Sequence, residues 1–277
     1  MKRDEKPVSQ PDFTYFDVQA YWGVTKHMGG VDATDEIADL CHIDQDKTVL
    51  EVGCGTGVTA CHLARRYGCQ LIGVDLSDKM VEWSQKRALR KSLEHKVQFR
   101  TADAQDLPFE DNAFDAVICE SVTAFPADKQ KAVNEYVRVT KPGGYVGMNE
   151  GTWMKEAPPE ELVIYIDRTM AKAKFLTPDG WKLLLVNAGL VEINVRSYKV
   201  NPFSQRLNEM RGLDMQDRLD RFRGLKDFIL LYLRSTNFRK YAKEIMPSRK
   251  IIRDLFAYLG YGLYVGKKSV QRETVNG

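Results

Sequence analysis

Short apolar runs alternate along the chain with stretches whose apolar residues recur at three- and four-residue spacing, the signature of buried strands followed by amphipathic helices. The pattern predicts a helix over 33–41, a strand at 48–52, a helix over 57–67 and a strand at 70–76. A helix over 78–92, strands at 96–102 and 114–120, a helix over 128–140 and a strand at 144–150 follow. A helix over 177–188 leads to a sixth strand at 190–200, and the last strand, "YGLYVGKK", occupies 261–268 after some sixty mainly helical residues. Such alternation specifies a mostly parallel sheet with helices on both faces.

Composition narrows the class. The chain has 277 residues, 43% hydrophobic and 29% charged, which suits one α/β domain with elaborations and a full core. Its start, "MKRDEKPVSQPDF", has no apolar stretch resembling a signal peptide, and no run approaches the roughly 18 apolar residues of a membrane span. A cytoplasmic protein is expected. Cys41, Cys54, Cys61, Cys69 and Cys119 lack CxxC spacing and the four histidines are scattered, so neither a disulfide framework nor a metal site is expected. The net charge of +3 conceals an asymmetry: residues 218–250 carry ten bases against three acids, a local balance of +7, leaving −4 elsewhere.

Chemistry concentrates in "VLEVGCGTGVTACHLA", residues 49–64. A strand ending in a glycine-rich turn that opens a helix aims backbone amides at a ligand. Gly53, Gly55 and Gly57 are spaced G-x-G-x-G, and Val58 stands where the dinucleotide fingerprint wants its third glycine. The Lys-Ser/Thr pair of an ATP-binding loop is missing too. Glu51, two residues before the first glycine, would repel a pyrophosphate and suits an ammonium or sulfonium ligand. Asp75 ends the second strand, where a carboxylate can take both ribose hydroxyls, and Asp103 with Ala104 follows the third, where an acid can accept the adenine amino group. Three acidic strand ends thus converge on one adenosine.

In order, "EVGCGTG", "GVDLS", "ADAQDLPFEDNAFDAV" and "RVTKPGG" closely resemble the class I methyltransferases that use S-adenosylmethionine, over about residues 33–198. The resemblance implies a Rossmann-like seven-stranded, mostly parallel sheet with an antiparallel last strand, and S-adenosyl-L-methionine as cofactor. By carry-over Gly53, Gly55 and Gly57 admit the cofactor, Glu51 supports its amino-acid end, Asp75 holds the ribose, and Asp103, Ala104 and Gln105 read the adenine. Leu76 and Met80 would pack on the base or simply belong to the core. Glu120 and Tyr21 complete the expected cofactor set. The quinone and sterol branch of the family often has a histidine pair after the fourth strand; "CESVTAFPADK" lacks it, which leaves the branch open.

Ligands of such sheets bind outside the carboxyl ends of the parallel strands. The expected organisation is therefore a cofactor-covering segment (1–32), a core (33–199), a basic helical cap inserted between strands six and seven (200–258), the last strand (259–268) and a tail (269–277). The aromatic "FDVQAYWGVTKHMGG" suits a cover, and "NEGTWMKEAPPEEL" begins at the ligand edge. Methyl transfer demands alignment and exclusion of water, with a base optional. Glu150 and His27 are candidates to take an acceptor's proton, Glu120 and Asn149 to orient it, and Trp153 or Tyr15 to hold a methylammonium by cation–π attraction worth about 0.5–2 kcal/mol. Phe222, Leu225, Ile229, Leu233 and Phe238 fall near helical spacing among bases; that stretch could cap the site, lie on an anionic membrane or meet an acidic partner. No nucleic-acid module is visible. The expected acceptor is a small molecule, methylated at N or O, with a lipid headgroup or isoprenoid/quinone acceptor as alternative and a silent cofactor-binding sensor as the non-enzymatic one. Neither acceptor nor oligomeric state is legible.

Overall fold

The computed structural model describes residues 15, 16, 19, 27–200 and 215–270, without the side chains of 220–225, 227, 228 and 244. Tyr21, Trp22, Phe222 and Leu225 lie outside that description. Helix α1 (Gly30–Leu40) precedes β1 (Thr48–Val52), α2 (Val58–Tyr67), β2 (Gln70–Asp75), α3 (Asp78–Arg90), β3 (Val97–Thr101) and β4 (Phe114–Glu120). Then come α4 (Lys129–Val139), β5 (Thr140–Trp153), α5 (Glu160–Thr169), α6 (Pro178–Asn187) and β6 (Leu190–Lys199). Helices α7 (Met215–Arg234), α8 (Thr236–Ile245) and α9 (Arg249–Tyr258) lead into β7 (Leu259–Lys268).

One seven-stranded sheet has the order β3-β2-β1-β4-β5-β7-β6. Strands β1 to β5 pair in parallel, whereas β7 runs antiparallel to both β5 and β6, so the expected topology is observed. Consecutive residues of β1 face opposite layers. Val49 packs with Ile37, Leu63, Leu71 and Ile118 on one side, and Leu50 with Val117, Tyr136, Met148 and Trp181 on the other. Full burial of each such side chain contributes about 1.5–3 kcal/mol, so a strand buried on both faces is held firmly and its carboxyl end is a rigid platform.

Three boundaries depart from the sequence pattern for identifiable reasons. Helix α1 starts at Gly30, because Gly29 is in the left-handed region (φ 81°), where a Cβ would lie 2.5 Å from that of Ala33. Strand β5 extends to Trp153 because β7 pairs along its whole second half, out to Trp153 opposite Leu259. The single apolar stripe expected over 222–238 is divided between two helices. The Ser235 hydroxyl accepts the Phe238 amide at 3.1 Å and starts α8. Ile229 and Leu233 are then exposed while Phe238 is fully buried. Ser235→Ala should cost about 1 kcal/mol and speed hydrogen exchange at 236–240; exchange there unchanged would show that packing alone starts the helix.

Helices α8 and α9 meet α5. Leu162, Ile166 and Ile251 form a third apolar cluster flanked by Trp153, and the Tyr165 hydroxyl donates to the Ile245 carbonyl at 2.7 Å. The two segments expected as lid material are thus joined to each other. Among the described residues no helix is long and apolar enough to cross a membrane.

Candidate cofactor and acceptor site

Strand order reverses between β1 and β4, and a crevice opens there at the carboxyl ends of parallel strands. The glycine loop fills it from the β1 side. Gly53, Gly55 and Gly57 have φ of 74°, 52° and 71°, the region that favours glycine. At Gly53 a Cβ would stand 2.1 Å from the Val122 side chain, and at Gly57 3.0 Å from the Ser84 backbone. The protein's own atoms therefore already demand Gly53 and Gly57; close approach of a ligand is not their only reason.

Three sets of contacts fasten the loop. The Gly55 amide donates to Asp75 Oδ2 at 2.9 Å, the Ser84 hydroxyl donates to the Gly55 carbonyl at 2.8 Å, and Arg87 Nη1 donates to the Thr56 carbonyl. Asp75 also accepts the Ser77 amide at 3.0 Å through Oδ1. A carboxylate has about four lone-pair sites, so acceptor capacity remains for a ligand's hydroxyls.

Glu51 is the strongest electrostatic feature. It is buried, its Oε2 has no hydrogen-bond partner, and burial first, then the neighbouring carboxylates of Glu120 and Asp75, push its pKa well above the usual range against an opposing hydrogen bond from the Ala60 amide. Burial likewise raises Asp75, opposed by the Ser77 and Gly55 amides. Acids gathered at one crevice repel one another, and a cationic ligand relieves that repulsion. The residues present therefore fit a cofactor carrying ammonium and sulfonium charge.

The remaining expected residues divide. Leu76 is 74% exposed and Met80 only 4%, so Leu76 is not core and is available to a base, whereas Met80 is packed. Asp103 is exposed and caps its own turn, accepting the Gln105 amide at 2.9 Å. Gln105 Oε1 accepts the Asp128 amide, and Ala104 packs at the edge of the second core cluster. Glu120 is buried beneath hydroxyl donors from Thr34 (3.0 Å) and Thr59 (3.1 Å) and the Asn149 amide (3.2 Å). That network makes Glu120 a support for its neighbours. His27 Nδ1 lies 3.3 Å from Glu120 Oε1, and Asn149 Nδ2 also donates to the Met28 carbonyl at 2.7 Å, which pins the segment bearing His27.

Glu150 is fully buried. Its Oε1 accepts the Val122 and Thr123 amides at 3.1 and 2.6 Å, and burial raises its pKa to about 7. The loop after β4 is thereby held, beginning at Ser121 with φ 58°. Trp153 meets Phe175 edge-on at 5.9 Å within the α5–α9 cluster. The sequence pattern missed Phe125 in that loop: Tyr15 stacks on it at 6.0 Å and Phe16 meets it edge-on at 5.0 Å. Burial raises the Tyr15 pKa, opposed by a hydrogen bond with Gln19, with a smaller upward contribution from Tyr241 of α8.

Fold and site together define a Rossmann-like α/β protein whose acidic crevice takes an adenosine ligand of cationic character. Residues 50–148 match the family described as "Methyltransferase domain". An uncharacterised protein of Haemophilus influenzae is 36% identical over 179 residues, covering 61% of this chain and 68% of that one. The chloroplastic tocopherol O-methyltransferase of Arabidopsis thaliana is 42% identical over 163 residues, 56% of this chain and 47% of that one. The structure of Haemonchus contortus phosphoethanolamine N-methyltransferase 2 with S-adenosyl-L-methionine superposes with a TM-score of 0.70 at 20% identity, covering 94% of this chain and 59% of that one. The chain spans less than half of the tocopherol enzyme and about three fifths of the nematode one. The chain belongs to the class I S-adenosylmethionine-dependent methyltransferases, and S-adenosylmethionine is its cofactor.

Proposed function

We propose that the protein transfers a methyl group to a nitrogen or oxygen of a small-molecule acceptor. The carrying observation is the aromatic cluster that Tyr15 and Phe16 make on Phe125, a residue of the loop that follows β4, the strand next to β1 in the sheet. Such a cluster suits a compact acceptor and excludes water. Similar proteins support both acceptor atoms, an oxygen in the tocopherol methyltransferase and a nitrogen in the phosphoethanolamine methyltransferase, and their acceptors differ widely in size and polarity. When bound, the cofactor supplies a methyl on a sulfonium sulfur, open to in-line attack.

The chain's own residues then have three tasks. Glu51, Gly53, Gly55, Gly57, Asp75, Leu76 and Asp103 with Ala104 and Gln105 hold the cofactor. His27, whose Nδ1 lies 3.3 Å from Glu120 Oε1, takes the acceptor's proton. Glu150 acts as a positioning residue, because one of its oxygens is committed to the Val122 and Thr123 amides. The test incubates the purified protein and methyl-labelled cofactor with a panel of small amines and phenols and with cell extract. Label in a small product supports the reading; label confined to macromolecules, or no turnover at all, overturns it.

A lipid acceptor is the second reading. It is favoured by exposed Met215, Leu219, Ile229, Leu233 and Met246 on α7 and at the end of α8, interspersed with exposed Arg218, Lys226, Arg234, Lys240 and Lys243. Flotation of the protein with phosphatidylserine vesicles, lost in salt, would support it; a protein left in the dense fraction at low salt would remove it.

A further inference from the structure

Asp217 lies in the first turn of the cap helix α7, with only 1% of its side chain exposed. Two cations of α3, Arg87 and Arg90, and Lys91 at that helix's C-terminal cap converge on it. Arg87 donates to Oδ1 from Nη2 at 2.8 Å and Nε at 3.2 Å, Arg90 Nη2 reaches Oδ1 at 3.3 Å, and Lys91 Nζ reaches Oδ2 at 3.4 Å. Arg87 is itself buried, and its remaining terminal nitrogen donates to the carbonyl of Thr56, between Gly55 and Gly57. A single guanidinium therefore joins the cap to the glycine loop.

We propose that Asp217 is a positioning residue for cofactor binding, acting through Arg87 to couple the docking of the cap to the geometry of the glycine loop. A buried guanidinium is tolerable only while its charge is matched and its donors are used. With Asp217 in place, Arg87 has both a counter-charge and a fixed fork orientation, so Nη1 is aimed at the Thr56 carbonyl. Neutralising Asp217 leaves Arg87 buried without its counter-charge. The guanidinium then turns toward water, and its bond to the Thr56 carbonyl is lost. The other loop fastenings, Asp75 to Gly55 and Ser84 to Gly55, lie within the core. Of these three, the Arg87 contact alone leads to the cap. Coupling of this kind is reciprocal: what the cap does to cofactor affinity, the cofactor does to the cap.

The inference rests on the glycine loop holding the cofactor, and binding of S-adenosylhomocysteine to the wild-type protein tests that separately. Calorimetry on the full chain compares wild type, Asp217→Asn and the double variant Arg90→Gln/Lys91→Gln. Asp217→Asn should weaken S-adenosylhomocysteine about 10-fold, whereas the double variant, which keeps the Arg87 bond, should change it by less than about 3-fold. Hydrogen exchange at 215–234 should slow on adding S-adenosylhomocysteine to wild type and respond much less in Asp217→Asn. Equal affinities for wild type and Asp217→Asn would overturn the coupling, as would an equal loss in the double variant. Should Asp217→Asn fail to fold, the wild-type measurement decides: no ligand-dependent slowing at 215–234 overturns the proposal.

Discussion

Asp75→Ala should weaken S-adenosylhomocysteine binding by about 1.5–3 kcal/mol, roughly 10- to 150-fold, while the protein stays folded. The side chain stands at the end of β2 with one oxygen on the Gly55 amide and the other on the Ser77 amide. Its removal deletes the charged acceptor proposed for the ribose hydroxyls and also frees the loop from one of its fastenings. Asp75→Asn separates the two effects. It keeps an oxygen for one amide but lacks the charge, so it should fall between wild type and alanine. The site is only half-buried, so water can reach the abandoned amides and the stability loss should be small beside the loss of affinity. An alanine variant with native affinity, measured by calorimetry alongside its melting temperature, would remove Asp75 from the cofactor site.

Glu150→Gln should reshape the pH dependence of stability. Burial raises the folded-state pKa of Glu150 to about 7, against about 4.3 for a glutamate in an unfolded chain. A group with a raised folded pKa contributes stability that is complete below the unfolded value and is lost as pH rises through the folded value. The window is therefore about pH 4.3–7, and the size is about 4 kcal/mol as an upper figure for so buried a group. Glutamine does not titrate, and its carbonyl still accepts the Val122 and Thr123 amides. The stability of Glu150→Gln relative to wild type should rise across that window by up to that amount. Chemical denaturation at pH 5 and pH 8 measures it, and parallel wild-type and variant curves would show that Glu150 is charged in the folded protein throughout. Glu51, raised by the same burial and by its acidic neighbours, acts in the same direction in wild type and variant alike and cancels in the difference.

Much of the proposed cofactor crevice is legible in the sequence because it is locally encoded. A strand, a glycine turn and a helix lie within residues 48–67, so motif spacing alone locates Glu51, Gly53, Gly55 and Gly57, and the sheet order then brings Asp75 and Asp103 to neighbouring strand ends. The antiparallel pairing of the last strand, expected from the resemblance, is also present. The candidates for the transfer step were less legible. Glu150 and Trp153 sit at the correct edge by sequence, but one holds the β4 loop and the other packs in the cluster beneath the cap. Phe125 was missed because a phenylalanine in a loop carries no spacing signal; its partners, Tyr15 and Phe16, are more than a hundred residues away.

The sequence by itself determined the class of fold and the cofactor, because period and turn chemistry act over a few residues. It also showed that 218–250 is basic. Only the tertiary structure decided what the buried charges do. Glu120 finds Thr34 86 residues away and Arg87 finds Asp217 130 residues away, so their roles depend on which elements pack together. The physical reason is desolvation: a carboxylate costs little on an exposed helix and a great deal inside, so burial, which no local pattern encodes, determines whether it must find a partner, stay protonated or await a cation.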